Sequence, residues 1–154
     1  MSDDPTFAIV DPHDPDAQAA LREYLAEVAQ HISEPAIGMH EADDVDDFRE
    51  PRGAFIVARL GTDTVACGAL RPFDDDTAEI KRMWVRPASR GRGIAATLLE
   101  ELERVARQRG FARARLDTNE ALTPAIRLYE SRGYRRIERF NDNPDATHFY
   151  EKYL

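Results

Sequence analysis

The sequence predicts a single domain that mixes α-helices with one β-sheet, and three observations lead to this fold class. The chain has 154 residues, which is the usual size of one domain with its own core. Segments with the alternating pattern of strands and segments with helical spacing follow one another along it, without repeats or a low-complexity linker. Apolar residues make up 42% and charged residues 32%, as in ordinary globular proteins. We therefore expect one α/β (α+β) domain over residues 1–154.

The N-terminal third predicts a strand, a helix and an acidic segment. Residues 6–10 form the strand candidate, and a turn rich in Asp and Pro ends it. Asp14 can cap a helix that has Pro15 in its first turn and that we expect to end before Pro35. The apolar face of this helix comprises Leu21, Leu25, Val28 and Ile32. The acidic residues 41–48 fit either a short helix or a loop.

The middle of the chain predicts three adjacent antiparallel strands. Residues 54–60, 64–70 and 77–85 have the composition of strands. Two short turn segments, 61–63 and 74–76, separate them. Strands joined by turns this short normally pair with each other, so we expect a meander.

The C-terminal half predicts two helices and three more strands. Apolar residues at helical spacing begin after Gly93 and stop at Gly110. Thr123 with Pro124 opens a second helix, which Gly133 closes. The predicted strands of this half are 111–116, 134–140 and 147–153.

Charge is distributed unevenly along the chain. Residues 1–77 carry 18 acidic and 5 basic side chains, a net −13, whereas residues 78–154 carry 11 acidic and 16 basic ones, a net +5. A basic half suits a ligand with several phosphates and an acidic half suits a cationic partner, although solvated surface charge explains the pattern as well. Because the whole chain is acidic, at −8, we expect no nucleic-acid partner.

The sequence favours neither a membrane protein nor a metal or disulfide framework. No apolar run approaches the roughly 20 residues of a membrane span, and the acidic N-terminus lacks the pattern of a secretory signal. Cys67 is the single cysteine, and the four histidines show no metal-ligand spacing. We therefore expect a cytoplasmic protein without a metal ion and without a membrane partner.

Residues 90–95, with the sequence Arg-Gly-Arg-Gly-Ile-Ala, join a predicted strand to an amphipathic helix. Glycines let the backbone approach a ligand, and the N–H groups and dipole of a helix start attract phosphates. Arg90 and Arg92 can add charge-assisted contacts. Two glycines alone are weak evidence, since the turn lacks the Gly-Lys-Ser/Thr of a Walker loop and has Thr97 where a dinucleotide fingerprint has a small residue. The junction itself predicts an anion site.

The context of this turn resembles the coenzyme A signature of the GNAT superfamily of N-acetyltransferases. That signature has Gln or Arg, two residues, Gly, one residue, and then Gly or Ala, and Arg90, Gly93 and Ala95 match it. Residues 119–134 are similar to a second family segment, in which Leu-Tyr on a helix is followed by Gly-Tyr or Gly-Phe. The resemblance is most specific over residues 77–134.

The resemblance implies a strongly bent mixed sheet of about seven strands, with about four helices on its two faces. In this fold the fourth and fifth strands splay apart around the pantetheine arm of acetyl-CoA, and a bulge in the fourth strand polarises the thioester carbonyl. The cofactor-binding residues implied are Met83, Trp84, Val85, Arg90, Gly91, Arg92, Gly93, Ile94, Ala95 and Ala96. Leu122 stands where many relatives have an Asn that contacts the cofactor, and we expect Asn119 to serve instead.

Acetyl transfer from a thioester to an amine needs a proton for the leaving thiolate and a group that takes the amine proton. By the resemblance, Tyr129 is the candidate acid, although it also fits a core aromatic. Glu79 matches the strand carboxylate that histone acetyltransferases of this superfamily use as a base. It fits a strand residue paired with Lys81 or Arg71 equally well, and Asp117 is the reserve candidate.

The acceptor is the least specified part of the prediction. The resemblance implies an acceptor pocket formed by residues 29–51 and the last hairpin. Candidate contacts are His31, Glu34, Asp43, Asp44 and Arg71, each of which also fits plain surface or a salt-bridge partner. We expect the primary amine of a small molecule as acceptor, and a homodimer is compatible with the C-terminal strands. The alternatives are a protein acetyltransferase acting on lysines or chain N-termini, and a non-catalytic acyl-CoA-binding module. Since the amine itself can attack, Cys67 is interpreted as a small strand residue.

Overall fold

Seven strands form one open mixed sheet. They are β1 (Thr6–Val10), β2 (Ala54–Leu60), β3 (Asp63–Pro72), β4 (Thr77–Val85), β5 (Arg113–Thr118), β6 (Arg135–Arg136) and β7 (His148–Tyr153). Their order across the sheet is β1-β2-β3-β4-β5-β7-β6, and neighbouring strands are antiparallel except for the parallel pair β4 and β5. The structure is a computed structural model, and it describes residues 4–31 and 45–154.

Helices cover both faces of the sheet. On one face, called the α1 face, lie α1 (Pro15–His31) and a short 3₁₀ helix (Val45–Phe48). On the other, called the α2 face, lie α2 (Ile94–Gln108) and α3 (Thr123–Ser131). A second 3₁₀ helix, Pro87–Ser89, connects β4 to the turn before α2. The predicted fold class is confirmed, with three α-helices in the described residues where the resemblance implies about four helices.

Each face of the sheet has its own core. On the α2 face, Leu98 and Leu102 of α2 are fully buried against strand residues such as Leu70. On the α1 face, Leu21 of α1 and Phe48 of the 3₁₀ helix belong to the core. Burying one such side chain contributes about 1.5–3 kcal/mol relative to leaving it in water, so the two cores hold the helices in place.

The predicted boundaries are confirmed where local signals are strong and shift where tertiary contacts intervene. Strands β1, β2 and β4 begin and end where predicted, and α1 begins at Pro15. Strand β5 starts at Arg113 rather than at residue 111, because Phe111 packs into the α2-face core and donates its N–H to Ala106 O at 3.0 Å. The strand expected at 134–140 shrinks to Arg135–Arg136, because a loop of residues 137–147 begins there.

Strand β4 contains a bulge, as the resemblance implies for the fourth strand. Cys67 of β3 pairs with Trp84 and Ala69 pairs with Lys81, so Gly68 lies opposite two residues of β4. The first of these, Arg82, has a φ of 62°, which is unusual for a residue with a side chain. The bulge changes which residues of β4 face α2: Ala78 and Ile80 do so before it, and Met83 and Val85 after it.

Strands β4 and β5 separate soon after they begin. Their pairs in the described structure are Thr77 with Arg113, Ala78 with Ala114, and Glu79 with Arg115. Beyond these pairs β4 stays with β3 and β5 stays with β7. The splayed strands implied by the resemblance are therefore confirmed, and the opening begins after Glu79.

Gly68 lies opposite the bulge and against α2, so enlarging it tests this packing. A Cβ atom at residue 68 would lie 2.8 Å from Leu102 Cδ1 and 3.4 Å from Met83 Cγ, and Leu102 is fully buried. We expect Gly68→Val to lower the free energy of unfolding by about 1–3 kcal/mol through overpacking. Urea unfolding of Gly68→Val, of Leu102→Ala and of the double variant measures this, and the double variant should lose less than the sum because the valine fills the cavity. Strict additivity would contradict this packing.

Candidate functional site

The glycine turn before α2 presents free backbone N–H groups. Gly91 and Gly93 have φ values of 83° and 77°, and a Cβ atom on either would meet no other atom within 4 Å. Gly93 is the N-cap of α2 and provides no side-chain cap, and the first intrahelical bond runs from Thr97 N–H to Gly93 O at 3.1 Å. The N–H groups of Ile94 and Ala96, and that of the residue between them, therefore have no partner within the helix. The turn has the open backbone that an anion site needs.

The two arginines of this turn occupy different environments. Arg90 donates from Nε to Val85 O at 2.8 Å and from Nη2 to Glu27 of α1 at 2.7 Å. One turn earlier in α1, Glu23 pairs with Arg86 at 3.3 Å. Arg90 thus ties α1 and β4 to the turn, and its charge is already paired. Arg92 is exposed beside the free N–H groups and supplies the positive charge of the turn.

Tyr129 of α3 faces the opening between β4 and β5. It is 7% exposed, its hydroxyl lies 3.8 Å from Met83 Sδ of β4, and its ring contacts that of Tyr150 at 6.1 Å. Burial raises the pKa of the Tyr129 phenol well above its ordinary value, with further upward contributions from Tyr24 and Asp117. The phenol therefore keeps its proton at neutral pH and lies beside Met83 of β4, with its ring against Tyr150 of β7.

The two predicted base candidates lie on the α1 face and share one partner. Glu79 is 4% exposed; its Oε1 accepts from Arg71 Nε at 3.0 Å and its Oε2 from Asn141 Nδ2 at 3.0 Å. The same Asn141 nitrogen donates to Asp117 Oδ2 at 2.5 Å, and Asn143 Nδ2 donates to Asp117 Oδ1 at 3.3 Å. The structure therefore brings Glu79 and Asp117 together through an amide that sequence reasoning did not identify.

Glu79 also belongs to a row of charges across five strands, called the charge row. At paired positions across β3, β4, β5, β7 and β6 the residues are Arg71, Glu79, Arg115, Glu151 and Arg135. Their signs alternate, and two of the contacts are direct ion pairs, with Arg115 Nε 2.6 Å from Glu151 Oε2 and Arg71 Nε 3.0 Å from Glu79 Oε1. Lys81 Nζ lies 3.8 Å from Glu79 Oε2 as well. The alternative interpretation of Glu79, a strand residue paired with Arg71 and Lys81, thus describes its contacts, although the carboxylate is buried rather than solvated.

Other predicted cofactor contacts fall at the edge of the opening. Met83 is the second residue of the bulge of β4 and Trp84 and Val85 follow it, all three beyond the last pair with β5. The indole of Trp84 is buried on the α1 face, and its Nε1 has no hydrogen-bond partner in the part of the chain that the structure describes. Asn119 uses its side chain locally, donating to Asp145 O at 2.6 Å and accepting from Ala121 N–H at 2.8 Å. A cofactor contact by Asn119 stays a prediction.

Two further residues lie near the site: Tyr24, which the sequence analysis did not identify, and Arg71, which it named as one of several acceptor candidates. Tyr24 of α1 is partly buried against the α1-face core and influences the Tyr129 phenol across the sheet. Its position three residues after Leu21 placed it beside the predicted apolar face, which is the signal that could have found it. Among the acceptor candidates, Arg71 lies next to Glu79 and 3.6 Å from Asp47. Glu34, Asp43, Asp44 and the side chain of His31 lie outside the described residues.

Cys67 has no nucleophilic character in this structure. It is fully buried on the α1 face, and its Sγ donates to Arg82 O at 3.3 Å. Burial raises the pKa of the Cys67 thiol to about 12, so the reactive thiolate is absent at neutral pH. Across residues 4–31 and 45–154, no group of three His, Cys, Asp or Glu side chains is arranged to hold a metal ion. Within the same ranges no helix has the length and apolar character needed to cross a membrane.

Comparisons with known proteins agree with this geometry. Residues 17–134 match the model of the acetyltransferase (GNAT) family. An uncharacterised N-acetyltransferase of Schizosaccharomyces pombe is 32% identical over 131 residues, covering 84% of this chain and 80% of its own. The IAA acetyltransferase of Azospirillum brasilense is 32% identical over 120 residues, covering 76% of this chain and 78% of its own. A crystal structure of an acetyltransferase from Streptococcus agalactiae superposes with a TM-score of 0.81 at 25% identity, covering 97% and 98% of the two chains.

The buried thiol makes a prediction about pH. Above pH 9.0, its ordinary pKa, Cys67 ionises in the unfolded chain but stays protonated in the folded one. Its contribution to stability is therefore complete below that pH and is lost above it, by up to about 1.4 kcal/mol per pH unit. Chemical denaturation of the wild type and of Cys67→Ala from neutral to alkaline pH measures this. Both proteins contain the same tyrosines, so the effect of tyrosine ionisation cancels in the difference between their free energies of unfolding. A difference that does not change with pH would contradict the assignment.

Proposed function

Because this chain belongs to the GNAT family of acetyltransferases, we propose that it transfers the acetyl group of acetyl-CoA to the primary amine of a small molecule. The reaction class and the cosubstrate follow from family membership. The acceptor and the roles of single residues rest on the geometry of the opening between β4 and β5. The observation that carries the proposal is that Tyr129 reaches this opening from the α2 face, whereas Glu79 and Asp117 lie beside it on the α1 face.

The glycine turn fits the phosphates of acetyl-CoA. A phosphate group needs backbone N–H donors, room for close approach and positive charge. Ile94, Ala95 and Ala96 offer the donors, the glycines leave the space above them clear, and Arg92 adds the charge. Arg90 takes a different part, since its contacts with Val85 O and Glu27 hold the turn in place. The backbone of Met83–Val85 borders the opening and can bind the pantetheine arm.

In this proposal an acid and a base act from the two sides of the opening. Acetyl-CoA, when bound, supplies the thioester that an amine attacks. Tyr129 holds a proton at its phenol oxygen, in a buried position from which it can protonate a thiolate. Glu79 is the candidate for the proton of the amine, which it would hold at a carboxylate oxygen, and Asp117 is the reserve. The main-chain groups of β4 beyond the bulge are available to stabilise a developing oxyanion.

Burial of Glu79 supports a small acceptor rather than a peptide. Glu79 is 4% exposed, and Asn141 lies directly against it and against Asp117. A protein substrate would need an open groove for an extended chain, whereas a small amine can enter a confined space. Arg71 and Lys81 lie next to Glu79, so the α1 face beside the opening, where we expect the acceptor, carries positive as well as negative charge. A non-catalytic module would need no acid and base at this opening.

The first test of this function is removal of the Tyr129 hydroxyl. Release of coenzyme A thiol is followed with acetyl-CoA and a panel of small amines, peptides and aminoglycosides. We expect Tyr129→Phe to lower kcat by roughly 10²-fold, with acetyl-CoA affinity nearly unchanged, because only proton transfer to the leaving group is lost. Tyr150→Phe is the matched control, since Tyr150 packs on the same ring but its hydroxyl bonds Glu130 instead. Equal losses in turnover and affinity, or equal losses in both variants, would count against Tyr129 as acid.

The second test separates the two base candidates. If Glu79 takes the amine proton, Glu79→Gln keeps an acceptor for Arg71 but lowers kcat/KM for the amine by roughly 10²-fold or more. Asp117→Asn is compared under the same conditions, with acetyl-CoA affinity and melting temperature as controls for folding. A Glu79→Gln enzyme that works at the wild-type rate across pH would transfer the role to Asp117.

A further inference from the structure

The loop between β6 and β7 reaches across the sheet to both base candidates. Asn141 lies in this loop, 62 residues from Glu79 along the chain and 24 from Asp117. Its Nδ2 nitrogen donates to Glu79 Oε2 at 3.0 Å and to Asp117 Oδ2 at 2.5 Å. A side-chain amide nitrogen carries two hydrogens, so both of its donors are used, one on each carboxylate.

The orientation of this amide is fixed by its oxygen and by the loop. Asn141 Oδ1 accepts the N–H of Asn143 at 3.0 Å, which turns the nitrogen toward the carboxylates. Arg139 holds the loop by donating to the carbonyl oxygens of Asn143 at 2.9 Å and of Ala146 at 3.0 Å. Asn119 holds its far end through Asp145 O at 2.6 Å. The loop therefore presents the Asn141 donors in one arrangement.

We propose that Asn141 is a positioning residue that joins Glu79 and Asp117 into a single functional unit on the acceptor side of the opening. The inference rests on the proposed function, since it assigns a task to the candidate bases. Two carboxylates that contact the same nitrogen repel each other, and hydrogen-bond donors placed between them offset this repulsion. The amide supplies those donors, so each carboxylate keeps a fixed direction while an amine approaches.

The charged groups around the pair explain why this donor is needed. Arg71 of β3 and Lys81 of β4 approach Glu79 at 3.0 and 3.8 Å, and Asp47 of the 3₁₀ helix reaches Arg71 at 3.6 Å. On β5 and β7, Arg115 is engaged by Glu151 at 2.6 Å. Asp117, by contrast, accepts its hydrogen bonds from neutral amides, those of Asn141 and Asn143. The Asn141 bridge from Glu79 to Asp117 is thus the contact that fixes Asp117 relative to Glu79 and its cationic neighbours, Arg71 and Lys81.

The variant Asn141→Asp isolates the donor function. An aspartate keeps an oxygen for the N–H of Asn143, so the loop turn is retained, but it gives no hydrogen to the carboxylates when ionised. We expect kcat to fall by roughly tenfold or more with KM for acetyl-CoA within about twofold, and the melting temperature to fall at neutral pH because a third carboxylate lies against the other two. The ratio of variant to wild-type kcat should rise as the pH falls, because the introduced carboxyl group donates a hydrogen again once it is protonated.

A matched control separates positioning from a general effect of charge. Asn143→Asp adds the same charge in the same loop and retains its own turn to Asp145 N–H at 3.0 Å, but residue 143 contacts Asp117 and not Glu79. We expect a smaller loss of kcat for this variant. Equal losses in the two variants, or wild-type kcat in Asn141→Asp, would overturn the proposal while the acetyltransferase activity stands.

A spectroscopic readout keeps the inference separate from the proposed function. The ¹⁵N–¹H signal of the Asn141 side-chain amide, assigned by its loss in Asn141→Asp, should shift in both Glu79→Gln and Asp117→Asn. An amide signal whose chemical shift is unchanged in either variant would contradict the bridge. A wild-type protein that transfers no acetyl group to any amine would overturn the proposed function and, with it, the catalytic role of the joined Glu79 and Asp117. The amide signal would still decide whether Asn141 bridges the two carboxylates.

Discussion

The short parallel contact between β4 and β5 is the constraint on which the rest of the molecule depends. Three residue pairs join the strands, after which β4 follows β3 and β5 follows β7. Backbone groups that border such an opening lose their ladder partners and must find others, from water or from a ligand. The bulge at Arg82 then re-aims β4, so that Met83 faces α3 and Tyr129. The site is therefore a consequence of how the sheet is divided.

The α1 face and the α2 face contribute to this opening in different ways. The α2 face brings an apolar aromatic group, in which burial keeps the proton on Tyr129. The α1 face brings charge, with Glu79 held between cations and Asn141. The sheet separates the Tyr129 phenol from the carboxylates of Glu79 and Asp117, and the groups lie on opposite sides of the opening between β4 and β5. The contact of Glu27 with Arg90 connects α1 with the glycine turn.

The sequence predicted what local patterns encode. Strand β4, the glycine turn and α2 were found because turn residues, periodicity and a helix start agree within a few residues of each other. The engagement of Arg90 by Glu27 was not found, because the partner lies 63 residues away and both side chains look like plain surface charge. The bridging role of Asn141 was not found either, since nothing in the Asn-Asp-Asn-Pro-Asp run at 141–145 reveals which strand it reaches. Contacts between distant strands depend on register, which local composition does not specify.

The charge row has a consequence for how this chain can vary over evolutionary time. Glu79 sits at the last pair before the strands separate, with Arg71 on one side and Arg115 on the other. A neutral replacement would leave two neighbouring guanidinium groups without the negative charge between them, whatever the enzyme does with its carboxylate. We therefore expect a carboxylate at residue 79 to stabilise the sheet independently of acetyl transfer. Tyr129 likewise belongs to the α2-face core, where its ring contacts Tyr134 and Tyr150, so the presence of either residue alone does not mark a working enzyme.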